Sequence, residues 1–350
     1  MFSDQPNCTG VVAPKVLAFS TAAISAGFSL ITTPGNLLVC LAVLINPNRN
    51  LRTSFNFFIV NLALADLTVG AITEPLSFVY HIREGLRLQF SLLQMVHHYL
   101  YFITCTASIL SLGALTAERH SAATSARSYR ARQVNSNKRY QWATCGIWVI
   151  SAAVSGFYFI IGPLVQSLVV TVTAVVLTFV ILAFTYLRIY GVLKERTQAN
   201  LSRGIPNPNE DSNDATRKKR NAALRAIEYE KKLTKVLASI LVCYICCFIP
   251  ACVLIFTMNL CSSCSCEVIH WMRDVQFWFI LLNSAVNPYL YAWRIPHFKR
   301  AIVNILKCQG RIGGISPSDL SVSQRDGSTN NYDQSVTRRD RSTNQCNVHV

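Results

Sequence analysis

Phe55-Asn-Phe-Phe-Ile-Val-Asn-Leu-Ala-Leu-Ala-Asp66-Leu-Thr-Val-Gly-Ala-Ile-Thr-Glu-Pro-Leu-Ser-Phe-Val-Tyr80 is an apolar stretch with a carboxylate near its middle. About 20 predominantly apolar residues suffice for a helix to cross the hydrocarbon core of a bilayer. An acid at that depth costs roughly 2.5–3.5 kcal/mol even on insertion scales, so such residues are usually partnered and functional. A neutralised acid simply buried among helices is the plainer reading of Asp66. Against it, four side chains further along the chain offer themselves as partners.

The rest of the chain follows the same pattern. Of 350 residues, 51% are hydrophobic and 14% charged, where a soluble domain carries nearer a quarter charged. Apolar runs of bilayer length recur at about Val16–Ile45, Phe55–Tyr80, Leu92–Ala117, Gln141–Ile161, Ser167–Tyr190, Leu233–Met258 and Trp271–Trp293. The fold class expected is therefore an all-α membrane protein, a bundle of seven spanning helices. Between the fourth and fifth runs lies only Gly162–Gln166, a very short link.

An odd number of spans puts the termini on opposite sides, and Lys and Arg in the short links decide which is inside. Arg49 and Arg52 follow the first span. Arg119, Arg127, Arg130, Arg132, Lys138 and Arg139 follow the third, and Lys194, Arg196 and Arg217-Lys-Lys-Arg220 the fifth. The alternate links offer only Arg83 and Arg87, then none, then Arg273. The amino terminus is expected outside and the tail in the cytoplasm. The net charge of +16 then belongs to cytoplasmic links facing an anionic leaflet, not to nucleic-acid binding. Met1–Pro14 lacks the basic start and short apolar core of a cleavable signal, so the first span is expected to serve as its own signal. Asn7-Cys8-Thr9 is a glycosylation acceptor on the outer side.

Three regions are expected: an outer tail over 1–15, a membrane domain over 16–308 and a cytoplasmic tail over 309–350. After the Asn-, Pro- and Ser-rich Asn200–Thr216, the basic run leads into a helical pattern through Glu230, so the sixth span should extend inward as a rod. Pro296–Cys308 alternates His297, Lys299, Arg300 and Lys307 with Phe298, Ile302, Ile305 and Leu306, the pattern of an amphipathic helix lying on membrane lipids. Gly310–Val350, poor in aromatics and rich in Ser, Thr, Asp, Arg and Asn, is expected to be disordered.

Short motifs sit at fixed places on this frame. Gly35-Asn36 lies in the first span, Asn61-Leu-Ala-Leu-Ala-Asp66 in the second, Glu118-Arg119-His120 at the end of the third and Trp148 in the fourth. Cys247-Phe248-Ile249-Pro250 lies in the sixth, and Asn283-Ser284-Ala-Val-Asn287-Pro288-Tyr-Leu-Tyr291 closes the seventh. Each is weak alone. As an ordered set they resemble the rhodopsin-like (class A) G-protein-coupled receptors over roughly residues 16–308.

That resemblance implies a multi-pass plasma-membrane receptor, not an enzyme, that couples an outer ligand to a heterotrimeric G protein by population shift. Arrestin and receptor kinases would be further partners. It implies no cofactor beyond an allosteric sodium ion, held by Asp66, Ser108, Asn283, Ser284 and Asn287 with Asn36 in support; oxygen donors around one charge suit a hard cation. It places the activation switch at Glu118, Arg119, Tyr186, Glu230, Phe248, Pro250, Asn287, Pro288 and Tyr291. Pro250 and Pro288 cannot donate a backbone hydrogen bond and should kink their helices. Glu230 would pair with Arg119 across helices, a contact that biases rather than locks because exposed pairs contribute about 0–1 kcal/mol. Cys308 ends the amphipathic helix where palmitoylation would add anchoring.

Departures from the family bear on the ligand. Gln94 stands where a disulfide usually joins the third span to the second outer loop, and Thr178 replaces the proline of the fifth span. Cys261-Ser-Ser-Cys264-Ser-Cys266, with Cys8 in the outer tail, resembles the melanocortin receptors within the melanocortin, adenosine, cannabinoid and lysophospholipid cluster. Four outer cysteines allow three full pairings. Cys8 with one loop cysteine is the preferred bridge, and zinc on Cys261, Cys264 and Cys266 the alternative. The melanocortin likeness weakens at Asn287, an Asp there, and at Glu74, His97 and His98, which do not reproduce that subfamily's acids. Tyr101, Leu281 and Ile255 replace the residues that bind amines, retinal and purines. The inferred pocket holds Tyr101, Phe102, Cys105, Phe248, Cys252 and Leu281, with Glu74 and His98 towards the mouth. It leaves a small molecule, a lipid and a peptide open as ligands. A transporter would show paired inverted halves, and none is visible. A receptor-like scaffold that no longer couples remains the rival, on the unusual link His120–Ala126.

Overall fold

The computed structural model describes residues 11–45, 51, 53–89, 91–124, 137–174, isolated positions between 180 and 198, and 214–312. Helix α1 (Lys15–Ile45) leads into α2 (Ser54–Thr68), which starts at Thr53 because that side chain accepts the Asn56 N–H at 3.3 Å. A π-helical turn over Val69–Thr73 then joins α2 to α3 (Glu74–Gly85). Its cause is Pro75, which has no N–H for the carbonyl four residues back and whose ring crowds that carbonyl. Helix α4 (Ser91–Thr124) follows, then α5 (Asn137–Gly156), α6 (Tyr158–Leu168), α7 (Asp214–Leu260), α8 (Cys266–Arg294) and α9 (Pro296–Ile312). No strand occurs among the described residues.

Among the described residues four helical stretches are long and apolar enough to cross a membrane: Lys15–Ile45, Ser54–Gly85, Ser91–Ser121 and Ala238–Leu260. The bent pair Tyr140–Gly156 and Tyr158–Leu168 makes a fifth. Helix α8 carries Glu267, Arg273 and Asp274 at its outer end but has 29 residues, about 43 Å at 1.5 Å per residue and ample for the hydrocarbon core. Most of the expected fifth span lies outside the described residues. The rod expected to extend the sixth span is present as one continuous helix, α7, whose 47 residues reach about 70 Å.

Two expected boundaries move. The fourth span was expected to end at Ile161, but α5 stops at Gly156 and α6 departs at 100°. Gly162 takes φ 76°, ψ 170°, a left-handed conformation that glycine alone adopts without strain, and Pro163 fixes the direction that follows. The outer link is thus compressed between Gly156 and Pro163. Helix α9 also continues past Cys308 to Ile312, with Phe298, Ala301 and Ile305 buried and Lys299, Arg300 and Lys307 exposed.

Helix α1 packs on α2, α3 and α8, α2 on α4, α4 on α5, and α8 on α7. Outward-facing residues include Leu30, Ile31, Leu44, Val149, Ile150, Ile160, Val253 and Leu260, whereas Thr21, Ser25, Asn36, Asn61, Asp66, Ser111 and Asn287 are buried. Polar inside and apolar outside is the arrangement of a bundle solvated by lipid. Helices α1 and α8 pack tightly at Gly35, where a Cβ would lie 2.8 Å from Pro288 Cγ. A proline ring cannot swing aside, so Gly35→Ala should lower the apparent melting temperature of the detergent-purified protein by several degrees, equivalent to about 1–3 kcal/mol of overpacking. Gly113→Ala, with nothing within 4 Å of the added carbon, should leave it unchanged or raise it.

Candidate functional site

The inner site is organised by Asp66, which is wholly buried on the last full turn of α2. Its Oδ1 accepts Ser108 Oγ of α4 at 3.3 Å and Ser284 Oγ of α8 at 2.7 Å, and its Oδ2 accepts Asn287 Nδ2 at 2.9 Å. Asn36 Nδ2 donates to the Ser284 carbonyl at 3.2 Å, which joins α1 to the same centre. One small cavity beside it is lined by Ser108, Asn283, Asn287 and Phe248, and a second by Ser108, Asn283, Ser284, Tyr101, Cys105, Leu281 and Phe248. The five residues named for sodium therefore lie together, with hydroxyl and amide oxygens beside one carboxylate. Next to them, Asn61 Nδ2 donates to Ser111 Oγ at 2.7 Å and Asn61 Oδ1 accepts from Trp148 Nε1 at 3.0 Å, so α2, α4 and α5 are held in register.

Towards the inner face, Arg119 is buried with its guanidinium 4.2 Å from the Phe55 ring centre. Glu118 accepts the Tyr140 hydroxyl at 3.4 Å. Phe248 stacks on Tyr244, ring centres 4.3 Å apart, and Pro250 lies one half-turn further out on α7. Tyr244 and Tyr291 both bury a hydroxyl that makes no hydrogen bond. Tyr186, Asn7 and Cys8 lie outside the described residues, as do the side chains of Glu230 and Cys308.

The outer site contains groups that the sequence reading did not assign. Arg273 grips Glu84 with both terminal nitrogens, Nη1 to Oε1 at 3.0 Å and Nη2 to Oε2 at 3.1 Å, and its Nε donates to Asp274 Oδ1. Asp274 Oδ2 accepts Thr21 Oγ1 at 2.8 Å, and His81 Nδ1 lies 3.0 Å from Glu84 Oε2. All of these side chains are buried. The network ties α1, α3 and α8 together outside the level of Asp66. The segment before α1 is fastened beside it: Arg87 Nη1 donates to the Ala13 carbonyl at 2.8 Å, and His270 Nε2 lies 3.2 Å from that of Val11.

A cavity opens against this network, lined in part by Tyr80, His97, His98, Tyr101, Phe102 and Phe277. Of the expected ligand-pocket residues, His98, Tyr101 and Phe102 meet here, while Cys105 and Leu281 lie deeper beside Tyr101. Cys252 and Glu74 line neither space. Glu74 is buried beside Ser25 of α1 and does not line the cavity. Gln94, in place of the family's cysteine, is also buried. In the last outer link Cys261 and Cys264 are bonded to each other, and Cys266 is itself disulfide-bonded. That consumes the thiolates a zinc site would need. The preferred bridge from Cys8 lies outside the described residues.

The family model for 7 transmembrane receptors (rhodopsin family) matches residues 35–167 and 159–291, from the Gly35 contact to Tyr291. The chain belongs to that family. It is similar to the Alpha-1D adrenergic receptor of Rattus norvegicus, 26% identical over 332 residues that take in 82% of this chain and 57% of that receptor. It is similar also to the Alpha-1A adrenergic receptor of Oryzias latipes, 25% identical with 86% of this chain and 70% of that receptor covered. With the Histamine H2 receptor of Cavia porcellus it shares 28% identity over 80% of this chain and 77% of that receptor. The chain thus spans little more than half the length of the rat relative. These rhodopsin-family receptors are not enzymes, and their names do not extend the melanocortin likeness, which rests on the outer cysteines.

Breaking the outer network tests its structural weight. Arg273→Met leaves Glu84 and Asp274 buried without their cation, a loss of about 3–5 kcal/mol. Surface expression and apparent melting temperature should both fall sharply, and adding Glu84→Gln should recover part of each.

Proposed function

We propose that the chain is a plasma-membrane receptor, amino terminus outside, which converts binding of a small molecule at its outer cavity into nucleotide exchange on a heterotrimeric G protein at its inner face. The observation that carries this reading is the Asp66 centre. A buried carboxylate joined to α4 and α8, and through Ser284 to α1, makes bundle geometry sensitive to the charge state and occupancy of one point.

The residues around Asp66 fit a sodium ion by their chemistry, since Asp66, Ser108, Ser284, Asn283 and Asn287 offer hard oxygens. An ion there would favour the form in which α8 is drawn towards α2 and α4. The hydroxyls of Tyr244 and Tyr291 suit a system with a second form. An unmade buried hydrogen bond costs about 1–3 kcal/mol, so a rearrangement that supplies partners to both recovers that energy. Arg119, held on Phe55, is the group that would be released to the G protein, with Tyr186 and Glu230 as its counterparts by family resemblance. Arrestin, receptor kinases and a lipid-anchored Cys308 belong to the same reading. The outer cavity is walled by rings with a few polar groups, Arg273, Asp274 and Gln276, among them, a lining that suits a small molecule.

Two measurements test the reading. Membranes from cells expressing the chain should show basal G-protein nucleotide exchange above mock membranes, and Arg119→Ala should abolish the excess. Exchange that Arg119→Ala leaves unchanged would make the chain a non-coupling scaffold. Sodium chloride should raise the apparent melting temperature of the purified protein by a few degrees over choline chloride at equal ionic strength. That corresponds to about 1 kcal/mol for an ion at roughly five times its Kd. Asp66→Asn should remove the difference.

A further inference from the structure

Glu118 and Arg119, side by side at the inner end of α4, are each held by an aromatic group. The Arg119 guanidinium lies 4.2 Å from the centre of the Phe55 ring. Phe55 is 2% exposed and Arg119 8%, so water has little access to the contact. Arginine keeps its charge at any pH a protein meets. An aromatic face attracts a cation within about 6 Å of its centroid, and more strongly where the pair is desolvated.

The ring is placed with little freedom. Phe55 sits in the first turn of α2, and that turn is fixed on its leading side: Thr53 Oγ1 accepts the Asn56 N–H at 3.3 Å, and Asn56 Nδ2 donates to the Leu51 carbonyl at 2.9 Å. Just beyond, Phe57 stacks on Tyr140 of α5 with ring centres 6.3 Å apart, and Phe58 meets the same ring edge-on at 5.6 Å. These contacts set the Tyr140 hydroxyl to donate to Glu118 at 3.4 Å. One short run, Phe55-Asn-Phe-Phe58, thus serves both members of the pair. Phe55 meets the cation directly, and Phe57 and Phe58 position the tyrosine that meets the acid.

A ring face restrains a charge differently from a carboxylate. An exposed ion pair is screened by salt, whereas a buried ring contact is not. Withdrawing a cation from a buried carboxylate strands the charge left behind. Withdrawing it from Phe55 strands none, since the ring stays apolar and needs no new partner. A hold of this kind is firm while it lasts and cheap to leave on the α2 side.

We propose that Phe55 is a positioning residue: the attraction of its ring for the guanidinium keeps Arg119 in the resting arrangement, with Tyr140 holding Glu118 beside it, and the strength of that attraction sets the basal rate of nucleotide exchange. The inference rests on the receptor reading above and adds the group that restrains its inner face.

The test uses the full chain in cell membranes, with Phe55 replaced through nonsense suppression by mono-, di- and trifluorophenylalanine. Each fluorine draws electron density from the ring face while shape and apolar surface stay close to those of phenylalanine. Packing is kept and the attraction for a cation falls. Basal exchange per receptor at the cell surface should rise in order of fluorine number, about fivefold or more at three fluorines, and Phe55→Leu should rise at least as far. Arg119-dependent exchange with a flat fluorine series would overturn the inference and leave the receptor reading standing. The apparent melting temperature of the purified chain gives a second answer that needs no exchange. Three fluorines should lower it by a few degrees with Arg119 in place and leave it unchanged in Arg119→Met. An equal shift in both backgrounds is the mark of packing alone and would also overturn the inference. Absence of any Arg119-dependent exchange would sink the receptor reading and the rate-setting role with it, the melting series then showing only whether the ring holds the guanidinium.

Discussion

The bundle depends on one carboxylate placed where water cannot reach it. Asp66 has no solvent contact, and in such surroundings an unsatisfied charge is more costly than any single packing defect. Three side-chain donors answer it, one from α4 and two from α8, and hydrogen bonds to charged groups contribute about 1.5–3 kcal/mol each. Their directions leave little freedom. A rotation of α8 that displaced Ser284 would displace Asn287 as well, because the two lie three residues apart on one face. Gly35 then lets α1 close on Pro288, which brings Asn36 to the Ser284 carbonyl. Helix order in this region follows from satisfying one acid.

A second polar level lies further out. Arg273 with Glu84 and Asp274 is about 15 Å along α8 from Ser284, ten residues at 1.5 Å each. Between the levels the interior is aromatic and aliphatic: Tyr101, Phe248, Phe277, Ile280 and Leu281 are all buried. Lipid-facing surfaces give helices little reason to choose among neighbours, since lipid tails are as apolar as leucine. Buried polar groups supply that choice. Asn61 between Ser111 and Trp148 does so for α2, α4 and α5, and Thr21 on Asp274 does so for α1 and α8.

What the sequence disclosed follows from the same physics. Asp66 stood out because a charge in an apolar run is improbable without partners, and Ser108, Ser284 and Asn287 were recognisable as suitable ones. The spans were legible as apolar length, the inward rod of α7 as helical pattern continuing past the membrane. The outer network was not legible. Arg273 read as loop-edge charge, and Glu84 falls beyond the apolar run, so nothing local shows that these two, 189 positions apart in sequence, meet at 3.0 Å. The π turn before Glu74 also escaped. It shifts the register of everything outward in α3, which is why Glu74 faces Ser25 on α1 instead of the cavity. The short link at Gly162 was visible, but the chain turns earlier than expected, where α5 stops at Gly156 and α6 departs at 100°.

Helix α8 carries both polar levels, and that arrangement constrains how one end of the protein can inform the other. Any change in how Asp274 is shared between Thr21 and Arg273 would alter how α8 is tethered to α1 and α3. Below, the same helix contributes two of the three donors to Asp66. Below those, Pro288 interrupts its hydrogen-bond ladder, and Tyr291 buries a hydroxyl with no partner. A rigid element fixed at two levels and weakened beneath the second transmits displacement rather than absorbing it. Coupling needs an element with two arrangements that both sites bias, and α8 has the required parts: a tether that a ligand can contest, a centre that an ion can hold, and an end whose hydroxyl gains by moving.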